Sequence, residues 1–364
     1  MTPLHDRYHR QVLLRDIGET GQQRLRESTV LLLGCGALGN VVADLLSRAG
    51  VGHLVIVDRD VVEASNLQRQ LLFDERDVAE GMPKAEAAKR RIGEINSDVR
   101  VTAVVDNIDN TNIARYADGV DLMVDGLDNL ETRYLANDLA VSRGLPYVYG
   151  GAVGSGGMVF PVLPHFSGDV PWNVAGGQDY STPCFRCLFA EAPPPGTMAT
   201  CDTAGVFGSL ITIIAGFQAT EALKILTRNF DKVSRKLLQV DVWTNDVCQF
   251  DVANSRDNSD CRCCKGGRFD YLEGKAGSAA DLLCGRDAVQ LRPRQQTTAV
   301  DFAALAARLE RHAAVTANEF LLQARLTDGE RPYEITLFAN GRAIVKGTQE
   351  PDVARGIYSK YIGT

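Results

Sequence analysis

The chain has 364 residues, of which 45% are hydrophobic and 23% charged, so it is long enough for two domains or three. Its net charge is −7 and it contains no basic block, which argues against a nucleic-acid partner. The N-terminal stretch MTPLHDRYHR lacks the apolar region of a signal peptide, and stretches such as LITIIAGF are too short to span a membrane. We therefore expect a cytoplasmic protein whose nine cysteines serve metal binding or catalysis rather than disulfide bonds.

A glycine-rich turn near the N-terminus is the first motif along the chain. Val30–Leu33 is typical of a short buried strand, and Ala37–Ala49 has the spacing of a helix. Gly34, Gly36 and Gly39 therefore occupy the positions of a G-x-G-x-x-G turn between a strand and a helix. The free N–H groups and the positive dipole end of such a helix bind anions. The motif predicts a nucleotide site and leaves the nucleotide open.

The second strand ends in a carboxylate. HLVIVD ends at Asp58, 19 residues after Gly39, where a carboxylate can hold the two hydroxyls of a ribose. The same arrangement occurs in NAD-dependent oxidoreductases, so it does not distinguish ATP from a dinucleotide.

The loop after Asp58 is rich in polar side chains. VDRDVVEASNLQRQLLF contains Asn66, Gln68 and Arg69, and GMPKAEAAKRRI brings Lys84 near the start of a helix. Each of these residues alone is compatible with an ordinary surface loop. Together, Arg69 and Lys84 add two cations beside the glycine turn, which suits three phosphates better than a pyrophosphate bridge.

A further polar group follows another strand. VDGLDN places Asp125, Asp128 and Asn129 at the carboxyl end of a strand, the edge where parallel sheets bind ligands. A carboxylate beside a triphosphate typically holds Mg²⁺. The alternative interpretation is that the Asn129 side chain caps the next helix.

The alternation of short apolar runs with helical patterns over residues 30–150 predicts a doubly wound, mostly parallel, Rossmann-like α/β sheet with helices on both faces. A long loop is expected over residues 164–183 and a strongly apolar helix over residues 203–227, buried or at a subunit interface. KLLQVDVW and CQFDVA follow as antiparallel strands. We assign residues 1–274 to this domain.

A composition change near residues 275–280 predicts a second domain. Residues 280–364 are expected to form a small α+β domain, with a helix over residues 302–314, strands NEFLLQARLTD and YEITLF, and a closing helix DVARGIYSKYI. Asn340-Gly341 suits a type I′ hairpin turn. The domain contains no catalytic cluster, and its role stays open.

Two C-x-x-C pairs predict a structural zinc site. Cys184 and Cys187 form the first pair, and Cys261 and Cys264 form the second, which begins 74 residues after Cys187. Two such pairs bind one tetrahedral zinc ion, and a closed four-cysteine site cannot activate water. Cys263 lies within the second pair and could compete as a ligand.

Cys201 stands apart from these pairs, at the start of the apolar helix. A helix N-terminus favours the thiolate, which indicates a reactive cysteine. The alternative is an inert buried thiol.

Six stretches together carry a family resemblance: RYHRQVLL, GCGALG, VDRDVVEASNLQRQ, GMPKAE, DGLDN and CDTAGVFG. The stretches occur in the expected order over about residues 5–270. In this part the chain resembles the MoeB/ThiF family, the bacterial relatives of ubiquitin-activating enzymes. These enzymes adenylate the C-terminal glycine of ubiquitin-like sulfur carriers.

The resemblance implies a ThiF-type fold and a role for each matching residue. It implies that Asp58 binds the ATP ribose, Lys84 the phosphates and Asp128 the magnesium and the reacting centre. Arg10 resembles an arginine that reaches into the neighbouring subunit, which implies a homodimer, and Cys201 matches a sulfur-transfer cysteine of some members. The expected nucleotide site comprises Gly34, Gly36, Ala37, Gly39, Asp58, Ser65, Asn66, Gln68, Arg69, Lys84, Asp128 and Asn129. The expected catalytic residues are Arg10, Arg69, Lys84, Asp128 and Cys201.

The expected reaction is attack of a carrier's C-terminal carboxylate on the α-phosphorus of ATP, which gives an acyl-adenylate and pyrophosphate. The expected partners are a small carrier that ends in Gly-Gly and a sulfur donor such as a cysteine desulfurase or a rhodanese. Whether the carrier serves molybdopterin or thiamine synthesis stays open. An NAD-dependent oxidoreductase, adenylation of a carboxylate on tRNA and a non-catalytic scaffold are the alternatives; the first leaves NLQRQ, Lys84 and DGLDN unexplained.

Overall fold

The computed structural model describes residues 4–362, apart from 174–176, 193–203, 277–286, 292–299, 311–312, 329–330 and 340. The chain divides into two compact units, Met1–Gly277 and Ser278–Thr364.

The first unit is an α/β structure. Its strands are β1 (Thr29–Leu33), β2 (His53–Val57), β3 (Arg100–Val104), β4 (Leu122–Asp125), β5 (Tyr147–Val153), β6 (Gly156–Val162), β7 (Lys236–Asp241) and β8 (Asp246–Asp251). Its helices are α1 (Leu4–Val12), α2 (Gly18–Glu27), α3 (Ala37–Ala49), α4 (Glu75–Ala79), α5 (Lys84–Ile95), α6 (Ile113–Tyr116), α7 (Leu130–Arg143), α8 (Phe185–Leu188) and α9 (Gly208–Leu226).

The eight strands form one sheet in the order β3-β2-β1-β4-β5-β6-β7-β8. The first five of these strands are parallel, and β6, β7 and β8 are each antiparallel to the strand before. The predicted doubly wound, mostly parallel sheet is therefore confirmed. Because β1 pairs with β2 on one side and β4 on the other, the chain reverses direction across the sheet at β1. The carboxyl ends of β1, β2 and β4 surround the crevice where such folds bind ligands.

Alternate residues of β1 belong to different hydrophobic cores, which explains why helices cover both faces. Val30 and Leu32 pack in a core with α3, α5 and α9 residues, whereas Leu31 and Leu33 pack in a core with α7 and α8 residues. The helix predicted over residues 37–49 is confirmed, and it ends at Gly50, whose φ of +84° is the left-handed conformation that favours glycine.

The apolar helix α9 begins at Gly208, later than predicted, because Val206 forms a β-bridge with Gly154 before the helix starts. By length and composition α9 could cross a membrane, but 56% of its apolar window is buried in the protein. That burial is typical of a core helix.

The second unit is a five-stranded antiparallel sheet in the order β10-β11-β12-β13-β9 with two helices. Its elements are β9 (Ala288–Leu291), α10 (Phe302–Leu309), β10 (Ala313–Ala317), β11 (Leu321–Asp328), β12 (Arg331–Phe338), β13 (Ala343–Lys346) and α11 (Pro351–Tyr361).

One prediction for this unit needs correction, and one strand was missed. The helix expected over residues 302–314 ends at Leu309, because Ala313–Ala317 pair with β11 and sheet pairing overrides the helical propensity of alanine. Strand β9 was not predicted. The expected Asn340-Gly341 turn lies partly outside the described residues, since Asn340 is not among them.

Close backbone contact between three segments holds the glycine turn in place. An added Cβ at Gly39, in the first turn of α3, would lie 2.1 Å from the Gly34 carbonyl oxygen. An added Cβ at Gly126, after β4, would lie 2.4 Å from the same oxygen. At Gly36 the nearest atom would be 3.6 Å away, an ordinary contact. Gly39 and Gly126 are therefore required by the protein's own packing, whereas the packing would admit a Cβ at Gly36.

We expect Gly39→Ala to destabilise the first unit by about 2 kcal/mol or more, because the backbone must separate to admit the methyl group. Gly93→Ala is the matched control, since Gly93 lies in α5 with no atom within 4 Å of an added Cβ. That control should be stabilised by about 0.5–1 kcal/mol through helix propensity. Urea unfolding followed by circular dichroism measures both changes, and equal stability of the two variants would contradict the packing account.

Candidate nucleotide site and metal centre

Asp58 connects the glycine turn to the end of β2. One carboxylate oxygen accepts a hydrogen bond from the Cys35 backbone N–H at 2.7 Å, and the other accepts one from the Asp60 N–H at 2.7 Å. Burial raises the pKa of Asp58, and the nearby charge of Lys84 opposes that rise. Each carboxylate oxygen has a further lone pair, so the group can still accept the two hydroxyls of a ribose.

Lys84 lies at the first position of α5, and its side chain reaches Asp60, two positions after Asp58. Its Nζ atom is 3.2 Å from Asp60 Oδ2, and its backbone N–H donates to the Asp60 carbonyl oxygen at 2.9 Å. The Lys84 residue is only 3% exposed. The structure thus brings the predicted lysine beside the predicted ribose carboxylate, across 26 positions of sequence.

The NLQRQ loop adds buried polar groups. Asn66 is buried in a short 3-10 turn, where its side-chain oxygen accepts from the Glu63 N–H at 3.2 Å. Arg69 donates from Nη1 to the Ser65 carbonyl oxygen at 2.9 Å, while its Nε is buried and has no hydrogen-bond partner in the described protein. A buried donor without a partner is costly, so this atom fits an anionic ligand. Ser65 and Gln68 are exposed.

The two aspartates of VDGLDN have different environments. Asp125 is fully buried and faces inward, where it bonds Arg133 at 3.0 Å and the Tyr147 hydroxyl at 2.7 Å. Asp128 is exposed at the carboxyl end of β4. Desolvation by the surrounding protein and the charge of Asp60 oppose ionisation of Asp128, but the charges of Arg59 and Lys84 and the hydrogen bond from the Asn129 amide together lower its pKa. An exposed, ionised carboxylate has the donor chemistry that Mg²⁺ prefers, so Asp128 fits the ion and Asp125 does not.

Asn129 is a helix cap. Its side-chain oxygen accepts from the Thr132 N–H at 2.9 Å at the start of α7, and its amide donates to Asp128 at 3.2 Å. The alternative interpretation of Asn129 is therefore confirmed, and a contact with the nucleotide remains a prediction.

Arg133 was not anticipated from the sequence. Its guanidinium donates to the Leu127 carbonyl oxygen at 2.7 Å and to the Gly150 carbonyl oxygen at 3.1 Å, besides its ion pair with Asp125. These contacts fix the loop that carries Asp128 against β5. Nothing local in the sequence signals this role, because the partners come from three separate segments.

The roles of two predicted catalytic residues remain predictions. Arg10 is exposed on α1, and the single chain does not bring it to the crevice through any contact that the structure describes. Cys201 lies outside the described residues. Cys35 is fully buried in the glycine turn, and burial raises its pKa, as expected for a packing residue.

The four predicted zinc ligands converge. Sulfur–sulfur distances are 3.7 Å for Cys184–Cys187, 3.6 Å for Cys184–Cys261 and 3.4 Å for Cys187–Cys264, and all four sulfurs lie within 4.8 Å of one another. A tetrahedral zinc ion with thiolate ligands requires sulfurs about 3.8 Å apart. The cluster therefore fits one structural zinc ion.

Cys263 does not belong to this group of four. It is fully buried, and its sulfur accepts a hydrogen bond from the Asn137 amide at 3.4 Å. The Asn137 side-chain oxygen in turn accepts from the Phe185 N–H at 2.8 Å, so α7 supports both halves of the cluster.

The fold and the two sites define a nucleotide-binding α/β protein with a four-cysteine metal centre. The ThiF family model matches residues 8–263, and the chain therefore belongs to the ThiF family.

Among similar proteins, the sulfur carrier protein ThiS adenylyltransferase of Bacillus subtilis is 40% identical over 358 residues, which cover 98% of this chain and 99% of the relative. The SAMP-activating enzyme E1 of Haloferax volcanii is 39% identical over 268 residues, 74% of this chain and 92% of the relative. A crystal structure of Escherichia coli MccB with MccA-N7isoASN matches with a TM-score of 0.56 at 22% identity, over 71% of this chain and 75% of that one. At that identity the likeness concerns the fold alone.

We expect about one zinc ion per chain in freshly purified protein, because four converging cysteines form one closed site. Cys264→Ser should lose the ion together with thermal stability. Cys263→Ser should retain the ion, since its sulfur is engaged by Asn137. Elemental analysis of the two variants measures the zinc content of each. Loss of zinc from Cys263→Ser, but not from Cys264→Ser, would show that Cys263 is a ligand in place of Cys264.

Proposed function

We propose that this chain adenylates the C-terminal glycine carboxylate of a ubiquitin-like sulfur carrier with ATP. The observation that carries the proposal is the charged group beside the glycine turn: the ribose-type carboxylate of Asp58 accepts from the Cys35 N–H, and the charge of Lys84 acts on both Asp58 and the exposed acid Asp128. Arg69 on the NLQRQ loop adds a second cation, whose buried Nε has no hydrogen-bond partner among the described residues. An NAD-dependent oxidoreductase would require neither the two cations nor the acid. Adenylation of a tRNA-linked carboxylate is disfavoured by the net charge of −7.

In the proposed reaction, a carboxylate oxygen of the carrier attacks the α-phosphorus, the bond to the bridging oxygen breaks, and pyrophosphate leaves. The carrier carboxylate is already ionised, so no side chain has to remove a proton. The side chains of this protein orient the ATP and neutralise its charge. Asp58 holds the ribose, while Lys84 and Arg69 compensate the phosphate charge. Bound Mg²⁺ at Asp128 would supply further compensation of the phosphate oxygens.

A carrier of the ThiS type is the proposed substrate. The Bacillus subtilis relative, whose name states that it acts on ThiS, aligns with 98% of this chain, whereas the SAMP-activating enzyme aligns with 74%. The match to the ThiS enzyme therefore includes the second unit. We propose thiamine-type sulfur transfer on this ground.

An exposed apolar surface supports docking of a folded carrier. All six residues of the edge strand β8 are exposed, including Val247 and Phe250. Nearby, Trp243 is 74% exposed and stacks on Phe207 with ring centroids 5.4 Å apart. Exposed apolar groups on an open sheet edge are typical of protein-binding surfaces.

We also propose a homodimer with Arg10 acting on the partner's site. An exposed stripe on α9 includes Ile213 and Phe217, both about two-fifths exposed, and Leu13 follows α1 at 69% exposure. Apolar side chains of this size are costly in water, so these surfaces support self-association.

The later sulfur step is assigned to Cys201, with a cysteine desulfurase or a rhodanese as donor. Support comes from the stretch CDTAGVFG, through which Cys201 matches the sulfur-transfer cysteine of some family members. The residue itself lies outside the described part of the chain, and the helix α9 begins only at Gly208, so the helix N-terminus is not an argument for its thiolate. A reducing cytoplasm is the compartment that suits free thiols and ATP chemistry.

We expect Asp128→Asn to lower carrier-dependent ATP–pyrophosphate exchange by at least about a hundredfold, because it removes charge at the reacting centre. The protein should stay folded, since the Asp128 side chain is exposed. Asp118→Asn is the matched control, an exposed acid paired with Arg143 and away from the crevice residues. Normal exchange by Asp128→Asn would refute its role.

The role of Arg10 across a dimer can be tested by complementation. Co-expressed Arg10→Ala and Asp128→Asn chains should recover about a quarter of wild-type exchange, because half of randomly assembled dimers are mixed and each mixed dimer has one intact site. Mixing Lys84→Ala with Asp128→Asn should recover none, since both residues belong to one chain's site. If the first mixture is as inactive as the second, Arg10 does not act in the partner.

A further inference from the structure

Arg59 joins the ends of two strands beside the nucleotide crevice. It lies directly after Asp58, and its Nη1 donates to the Asn107 side-chain oxygen at 2.9 Å. Asn107 follows β3, the strand that flanks β2 at the edge of the sheet. The guanidinium therefore bridges the carboxyl ends of β2 and β3, on the side of Asp58 away from β1.

The bridge is held on both sides. Arg59 Nε is 3.8 Å from Asp60 Oδ1, and its side chain is 21% exposed. Asn107 is 9% exposed, and its carbonyl oxygen accepts from the Asn112 amide at 2.6 Å. Contacts of this kind orient the planar guanidinium while leaving part of the side chain exposed.

The direction of a bound nucleotide follows from the fold. In a doubly wound sheet the phosphates lie at the glycine turn after β1 and the ribose at the carboxylate after β2. The base then continues away from β1, past Asp58, toward the end of β3. By strand order Arg59 and Asn107 lie on that side of Asp58, although the charge of Arg59 also acts on Asp128. Lys84 and Arg69 are the cations assigned to the phosphates.

We propose that Arg59 is a nucleotide-binding residue that stacks its guanidinium on the purine base of ATP, with Asn107 as the residue that orients it. This inference rests on the proposed function, because it assumes ATP at the glycine turn. Arginine stacks on aromatic faces through cation–π attraction and planar contact, which lysine reproduces poorly. The ligand class is a purine nucleotide, recognised through its base as well as through its phosphates.

The test compares ATP, AMP and inorganic tripolyphosphate as ligands of Arg59→Lys. This variant keeps the positive charge and lacks the planar guanidinium group. We expect the KM for ATP to rise about tenfold with kcat within about twofold of wild type, because stacking is a binding interaction shared by ground and transition states. Equilibrium binding of AMP, measured by calorimetry without turnover, should weaken by a similar factor. Binding of inorganic tripolyphosphate, which has no base, should not change.

Two further variants guard against a folding artefact. Asn107→Ala, which leaves Arg59 in place and removes its restraint, should weaken AMP binding less than Arg59→Lys and should also leave tripolyphosphate unaffected. Arg91→Lys is the matched control, since Arg91 is 52% exposed on α5 and pairs with Glu94. It should bind all three probes as wild type does.

The proposal is overturned if Arg59→Lys binds AMP as tightly as wild type, since charge alone would then suffice. It is equally overturned if the variant loses tripolyphosphate and AMP affinity to the same extent, since Arg59 would then act on phosphates. Failure of the proposed function has a different signature: wild-type protein would bind AMP and yet show no pyrophosphate exchange with a carrier.

Discussion

The contact between three backbone segments at the glycine turn is the constraint on which the rest of the site depends. The Gly34 carbonyl oxygen faces both Gly39 in α3 and Gly126 after β4, and side chains at either position would meet it at less than 2.5 Å. Asp58 then ties the turn to β2 through the Cys35 N–H. The carboxyl ends of three strands are thereby fixed relative to one helix N-terminus, which defines the place of the nucleotide before any ligand arrives.

The charges around this crevice are arranged in pairs that hold one another in position. Asp60 contacts both Lys84 and Arg59, and Arg133 binds the inward-facing Asp125 while fixing the loop that carries Asp128. Such pairing keeps charged groups oriented at low exposure, so little reorganisation is required when a charged substrate binds. The zinc cluster is connected to the same framework, because Asn137 of α7 supports the Phe185 segment and the Asn129 cap begins the same helix.

Local patterns in the sequence were sufficient for the elements that carry the site. The helix over residues 37–49 and the four zinc cysteines were predictable because periodicity and C-x-x-C spacing report local geometry. The Arg59–Asn107 bridge spans 48 positions and depends on β3 lying next to β2, so no local pattern could reveal it. The same reason explains why the residue pattern alone did not separate Asp125 from Asp128 and only the family resemblance did, since their difference lies in the Arg133 and Tyr147 partners. The misjudged end of α10 reflects strand pairing with β11, a tertiary contact.

The central claim is that this chain transfers AMP to the terminal carboxylate of a carrier. The direct measurement is to incubate the purified protein with Mg²⁺-ATP and the ThiS carrier of Bacillus subtilis, either intact or lacking its last glycine, and to record the carrier's intact mass. The account predicts that the intact carrier gains the mass of one adenylyl group (AMP less one water) and that the truncated carrier does not. Absence of the adduct with a folded, ATP-binding enzyme, or equal labelling of both carriers, would contradict it.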